Sequence, residues 1–446
     1  MAIDMSEHFS VGRLIRFTLP SIAMMIFTSV YTVVDGLFVS NFAGKTPFAA
    51  LNFIFPVIMI LGTVGFMMGT GGSAIVAKTR GEGDDDRANR YFSMLVVACI
   101  VFGVVFGVLG FVIVGPIAEL MGASGQMLAD CILYADVLLV GLPAFILQYA
   151  FGTFFMTAGK PNMGFAFTVA AGVANIVLDA VLVGLLGMGL LGAAIATVAG
   201  MVIGGVGPIV YFARENDSCL RLVRPELDWR VLGRTCVNGS SEMVGNIAMS
   251  VVGMCYNIQL LALLGENGVS AYGVIMYVTM IFNGVFIGYV VGASPLMSFQ
   301  YGAQNRVEMH SLFKKGVAIV VVAGLVMFAS AELAAGPLSV MFVGYDQELC
   351  ELTEFAFRIF AVSFIIMGFN IYGSSLFTAL NNGIISAIIS FLRTLVFEIG
   401  AVFLLPMILG PNGIWGAIIV AELASLVIAL VFIIRLDKRY GYLHGR

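Results

Sequence analysis

Asp35 and Asp179 are acids set in long apolar runs, 18–35 and 165–179, that contain no basic residue. Holding a charge in hydrocarbon costs about 2.5–3.5 kcal/mol on the most lenient scale, so an acid placed there marks function by default and calls for a positive partner. Asn175 precedes Asp179 by four residues and so shares its helix face. Thr197 follows on the next apolar run. Two carboxylates, an amide carbonyl and a hydroxyl form an all-oxygen set suited to a hard monovalent cation or a shared proton. The expected chemistry is ion-coupled transport. Taken singly, each residue also has a structural reading: a buried Asp can serve a hydrogen-bond network, and a transmembrane Thr usually bonds its own helix backbone. Only the combination at one depth carries weight.

That depth follows from counting along the helices. Asp35 lies 19 residues beyond Arg16, and Asp179 lies 19 beyond Lys160. Each acid therefore stands roughly 28 Å past its cation at 1.5 Å rise per residue. Both fall in the outer half of a bilayer, and Thr197, on a run heading inward from about residue 190, reaches a comparable level.

The elements that must position them are membrane helices. The chain has 446 residues, 60% hydrophobic and 11% charged, with mean hydropathy +1.03. A soluble domain carries about 25% charged residues. Apolar runs predict twelve spans: 15–40, 47–77, 91–121, 130–158, 162–185, 190–213, 236–264, 270–299, 311–341, 352–380, 384–408 and 413–436. If both termini are cytoplasmic, nineteen of the 22 Lys and Arg residues lie on the inner side. The exceptions are Lys45 in an outer loop and Arg358 and Arg393 inside helices. The positive-inside rule then predicts a multi-pass plasma (inner) membrane protein with both termini cytoplasmic. The first apolar run is too long for a cleavable signal. Six cysteines without CxxC spacing read as small apolar residues.

The chain repeats itself at a constant spacing of 221 residues. Gly71-x-Ser73 matches Gly292-x-Ser294, Gly81 matches Gly302, Gly44 matches Gly265, Gly115-Pro116 matches Gly336-Pro337, and Thr157-Ala158 matches Thr378-Ala379. Each copy holds six spans, so both insert the same way round, and such transporters bind substrate between the halves. The expected architecture is all-α: a lobe at 1–213, a polar basic linker at 214–234 and a second lobe at 235–446. Among Met and Phe residues such as Met24, Met25, Phe154, Met156, Met276, Met280 and Phe282, a minority is expected to line the cavity.

The second half is charged differently. Glu242, Glu398 and Glu422 are embedded there together with Arg393. Glu242 and Arg393 sit at similar depths, which predicts a buried ion pair, with substrate contact as the alternative. A second-lobe ion or substrate site would draw on Glu242, Arg393 and Glu398. Arg358, four residues after Glu354, predicts a helix-face pair.

Pro20 with Asp35 fifteen residues later, Asn175-x-x-x-Asp179 on helix 5 and Thr197 on helix 6 resemble the MATE (multidrug and toxic compound extrusion) family, in its MepA-like and DinF-like bacterial branch. The resemblance covers essentially the whole chain. It implies that Asp35, Asn175, Asp179 and Thr197 form the coupling-ion site and that Pro20 bends helix 1. It also implies a cation-coupled antiporter that exports amphipathic, mainly cationic organic compounds. Where members often carry an Asn on helix 4, this chain has Gly152 and Thr153, so Na+ and H+ both stay open. Glu242 matches a helix 7 acid used in the second lobe of many relatives, and Asn370 lies near where some carry a helix 10 Asp.

The alternative is a flippase of lipid-linked saccharide, which would want embedded Lys or Arg that the first half does not offer. An enzyme is not expected. The three histidines (His8, His310, His444) lie near termini or loops, and no HExxH or GxSxG occurs. No cofactor, metal or nucleic-acid partner is expected beyond the coupling ion, lipid and small-molecule substrate. The chain is expected to act as a monomer.

Overall fold

A computed structural model describes residues 3–43 and 45–444. Gly44, one of the repeat-matched glycines, and the terminal Arg446 lie outside them. Among the described residues the regular structure is all helical. Six helices form the first half: α1 (Val11–Phe38, ending in a π turn Val39–Ala43), α2 (Lys45–Gly81), α3 (Asp85–Leu120), α4 (Gly125–Thr157), α5 (Pro161–Leu178, continued by a π segment Asp179–Leu185) and α6 (Gly189–Ala213). A non-helical connector, 214–228, leads to the second half. It is shorter than expected because Asp228 caps a helix beginning at Trp229, its carboxylate accepting from the Arg230 and Val231 N–H groups.

The continuous helix Trp229–Gly302 is two spans broken at Gly265, where φ is +66°. That backbone conformation suits glycine. The break is a hairpin: Tyr256 before it stacks on Tyr272 after it, with ring centroids 4.6 Å apart. We name the two arms α7 (229–264) and α8 (266–302). α9 (Arg306–Val343) follows. α10 is two pieces, Gln347–Ala361 and Phe364–Ala379, bent by 45°. α11 runs Gly383–Phe391, a π segment Leu392–Glu398, and Ile399–Leu409; α12 runs Pro411–Gly416 and Ala417–Tyr440. With the hairpin divided, all twelve expected spans are present.

Both termini lie at one end. The Phe9 N–H donates to Glu308 (3.0 Å), and His310 Nδ1 lies 2.9 Å from the Tyr442 carbonyl. This end carries most of the Lys and Arg residues and is called the basic end below. Along α3 the face away from the bundle is a band of exposed valines, among them Val101, Val108 and Val112. In water such a band would be a liability; in lipid it is the solvent-matched surface.

The repeat becomes an approximate two-fold relation in space. A Cβ placed on Gly81 would stand 2.0 Å from the Phe299 carbonyl oxygen, and one on Gly302 would stand 2.0 Å from that of Lys78. Phe299 is the repeat mate of Lys78 at the same spacing of 221, so one contact occurs twice. Likewise Gly71 abuts Thr235, while its mate Gly292 abuts Thr18 and Ser21. Only hydrogen side chains allow backbones this close. Lys78 over the Tyr301 ring and Arg80 over the Phe299 ring close the same seam. The lobes are thus in backbone contact at the basic end.

Candidate functional site

The acids meet because α1 and α5 run parallel and pack through a glycine. A Cβ on Gly172 would lie 2.5 Å from the Phe27 ring and 2.9 Å from that of Tyr31. Asp35 follows Phe27 by eight residues and Asp179 follows Gly172 by seven, two helical turns in each case. Two parallel helices in register at one level remain so two turns on. The carboxyl groups of Asp35 and Asp179 accordingly interact with one another. α6 is brought alongside by Gly200, where a Cβ would lie 3.4 Å from Asn175 Cβ and 3.0 Å from the Ala171 carbonyl. Asn175 is thus clamped between helices, 3% exposed, and Asp179 is fully buried.

The backbone changes character at this point. The Asp179 N–H reaches both the Asn175 and Ile176 carbonyls, and from Asp179 to Leu185 the chain winds as a π-helix. Such segments are rare and concentrate at functional sites.

Charge balance singles the cluster out. Among the described residues, Asp35 Oδ1, both Asp179 carboxylate oxygens and both polar atoms of Asn175 are buried without a hydrogen-bond partner. Buried polar groups are nearly always satisfied, and leaving one orphaned costs about 1–3 kcal/mol. Converging orphaned oxygens can take up a cation, or share a proton that turns one carboxylate into a donor.

Sequence reasoning overlooked Tyr134. This buried α4 tyrosine stands in the field of both acids and beside Thr197, and its hydroxyl is also unpartnered. Its one signal was a phenol in the outer half of an apolar helix, a weak one. Tyr31, one turn before Asp35, lies beside Gln148 of α4. The helix 4 pair Gly152 and Thr153 serves packing: Gly152 faces Met24, and the Thr153 hydroxyl donates to the Ala150 carbonyl at 2.8 Å. Thr197 donates to the Ala193 carbonyl of its own helix at 2.9 Å, so toward the acids it offers lone pairs only. Pro20 sits within α1, which continues through it as helix. Phe154 and Met156 are fully buried in the first-lobe core.

The second lobe departs from expectation at one pair. Arg393 does not bond Glu242; its guanidinium donates twice to one oxygen of Glu422, at 2.6 and 2.9 Å. Asn370 donates to the other oxygen at 2.5 Å. The expected similar depth does not hold: Gly383 packs against Asn238, so Arg393 stands about six residues, or roughly 9 Å, farther along the bundle than Glu242, and α11 turns it toward α12. Glu422, read only as an embedded acid, is the true partner. Glu242 instead faces the seam between lobes, accepts from Ser241 and lies beside Thr70 of α2. Glu398 stands in the field of Arg393 and Glu422. The expected pair of Arg358 with Glu354 is present at 2.8 Å.

The MatE family model matches residues 20–181 and 243–404, once in each lobe. The chain is 22% identical over 430 residues to the multidrug export protein MepA of Staphylococcus haemolyticus, covering 96% of this chain and 94% of that one. It is 23% identical over 432 residues to MepA of Staphylococcus aureus strain MSSA476, covering 95% and 94%. Among solved structures, a MATE protein in complex with MaL6 superposes with a TM-score of 0.90 at 23% identity over 97% of each chain. An outward-facing multidrug resistance MATE family transporter gives 0.90 at 22% identity over 97% and 96%. A MOP superfamily transporter from Pyrococcus furiosus gives 0.88 at 23% identity over 96% of each. With the family model covering well over half the sequence, and a twelve-helix duplicated bundle to match, this chain is a multi-pass membrane protein of the MatE family.

Proposed function

We propose that this protein is an antiporter that exports amphipathic, mainly cationic organic compounds in exchange for Na+ or H+ taken up at Asp35 and Asp179. The observation that carries this reading is the pair of facing, unneutralised carboxylates in the far half of the first lobe. The curated relatives named as multidrug exporters support the export direction. Asn175 and the lone pairs of Thr197 complete the oxygen set, and Tyr134 joins it as a hydroxyl able to donate or accept. Alternating access follows if the seam at Gly81 and Gly302 opens as the far end closes. Pro20 contributes by leaving α1 one backbone hydrogen bond short, so that the helix bends at low cost. The protein works as a monomer in the plasma membrane with its basic end cytoplasmic. A flippase for pyrophosphate-linked saccharides fits less well, because Arg393, the embedded cation, is already committed to Glu422.

Ethidium efflux from vesicles, with Na+ and pH gradients imposed separately, tests the reading. Wild type is expected to respond to one of the two gradients. Asp35→Asn and Asp179→Asn are each expected to fall to background while still binding ethidium. Wild-type efflux driven by neither gradient would sink the antiport reading. Unchanged efflux in both variants would sink the site.

A further inference from the structure

In the second lobe an unbroken chain of side-chain hydroxyls runs from Ser241 to Ser390. Its first hydroxyl, that of Ser241, donates to Glu242 on the seam. Ser241 Oγ lies 3.3 Å from Thr378 Oγ1, Thr378 lies 2.8 Å from Ser386 Oγ, and Ser386 lies 3.0 Å from Ser374 Oγ. Ser374 then lies 2.9 Å from Ser390 Oγ. In each of these hydroxyl pairs either oxygen can be the donor, which a proton relay requires.

From Ser390 the line continues along α11. Ser386, Ser390, Thr394 and Glu398 follow at four-residue spacing, and four residues return to one face in an α turn and nearly so in the wider π turns of 392–398. The Thr394 hydroxyl donates to the Ser390 carbonyl at 2.7 Å, so the hydroxyl-to-hydroxyl contacts end at Ser390, with Thr394 and Glu398 one and two turns beyond it. The rise is considerable. A Cβ on Gly383 would lie 2.2 Å from Asn238 Cα, which sets those residues level. Glu242 is four residues past that level and Glu398 fifteen, a difference of about 16 Å along the bundle.

The far terminus has room for a proton. Arg393 is engaged by Glu422, so Glu398 is a second acid against a single base. Asn370 is fully buried, and its Oδ1 has no partner although its Nδ2 donates to Glu422. An unsatisfied acceptor thus stands at the same cluster. The charged groups facing Glu398 are Arg393 and Glu422. The polar groups facing Glu242 are Ser241 and Thr70.

We propose that the hydroxyl chain from Ser241 to Ser390, carried over the last two turns to Glu398 by water alongside Thr394, relays a proton between Glu242 at the seam and Glu398 in the middle of the second lobe. The carboxylic acid at one end gives up its proton, and each hydroxyl or water accepts one proton on a lone pair while passing its own to the next. The carboxylate at the other end becomes the acid. No net bond is made or broken within the chain, and one proton has moved. The relay rests on the export reading above, with H+ as a coupling ion, and ties protonation in the second lobe to the state of the seam.

Full-length protein in liposomes loaded with a pH dye, driven to transport ethidium, tests it. Ser374→Ala/Ser386→Ala is expected to lower luminal pH change per ethidium at least tenfold, with ethidium binding and melting temperature retained. Ser374→Thr/Ser386→Thr, which keeps both hydroxyls, is expected to restore it. Wild-type proton movement in the alanine variant overturns the relay, as does equal loss in the alanine and threonine variants, which would mean packing alone. Should the double variant not fold, Ser386→Ala alone breaks the link between Thr378 and Ser374 and is read the same way. Ethidium export by wild type on a Na+ gradient with no luminal pH change overturns the relay and leaves the export reading standing.

Discussion

The two lobes share a fold and a repeat, yet they handle buried charge in opposite ways. In the first lobe one continuous apolar core extends from Val39 to Phe212, and the acids sit together between α1 and α5 with no cationic partner among the described residues. In the second lobe the core is split. One cluster around Tyr256 and Trp415 fills the far half, and another around Tyr289 and Tyr440 fills the basic half. Between them lies a polar layer of Arg393, Glu422, Asn370, Glu398 and the serines of α10 and α11. The position matching Asp35 is Tyr256, and that matching Asp179 is Gly400. Duplication conserved the scaffold and let the charge diverge: one lobe keeps an anionic hole that a cation or proton must fill, while the other neutralises most of its charge internally.

The contrast can be broken most sharply at Arg393. Removing one partner of a buried ion pair typically costs about 3–5 kcal/mol, so Arg393→Met is expected to lower the melting temperature strongly in detergent. Arg393→Met/Glu422→Met should recover much of the loss. If Arg393→Met melts like wild type, the second lobe is not internally neutralised and the comparison fails. A symmetrical pair of variants comes next. Gly81→Val and Gly302→Val each force a side chain against a backbone carbonyl, overpacking worth about 1–3 kcal/mol. Both should open the basic end by about tenfold or more in population, read by spin-label distances across the seam. Unequal effects would show that the lobes differ in their joint as well as in their charge. The smallest effect is expected at Thr197→Val. Its hydroxyl is already satisfied by Ala193, and a net hydrogen bond of about 0.5–1.5 kcal/mol limits the change in efflux to a few-fold. Complete loss would make the Thr197 lone pairs an indispensable part of the first-lobe site.

Much of this was legible in the chain itself. The spans are set by runs of apolar residues, and a membrane leaves few alternatives to a helix for such a run. Asp35 and Asp179 could be placed at one depth because rise per residue is constant. The pairing of Arg393 was not legible, because counting from approximate span ends placed Glu242 at its depth, whereas the packing of Gly383 on Asn238 sets Arg393 about six residues farther along and rotation turns it to Glu422. Tyr134 was missed for a related reason: a tyrosine in an apolar helix costs too little to stand out. The hydroxyl chain was invisible as well, since five scattered Ser and Thr residues on three helices form a line only once α7, α10 and α11 are packed.

By itself, then, the amino-acid sequence determined the membrane class, the twelve spans, the duplication and the stranded acids, since each follows from hydrophobicity, periodicity or the cost of a charge in hydrocarbon. Tertiary structure alone decided the partners. Which carboxylate faces Arg393, where the lobes touch, and which hydroxyls align are all matters of helix rotation and crossing. Those are set by where a glycine lets two backbones approach.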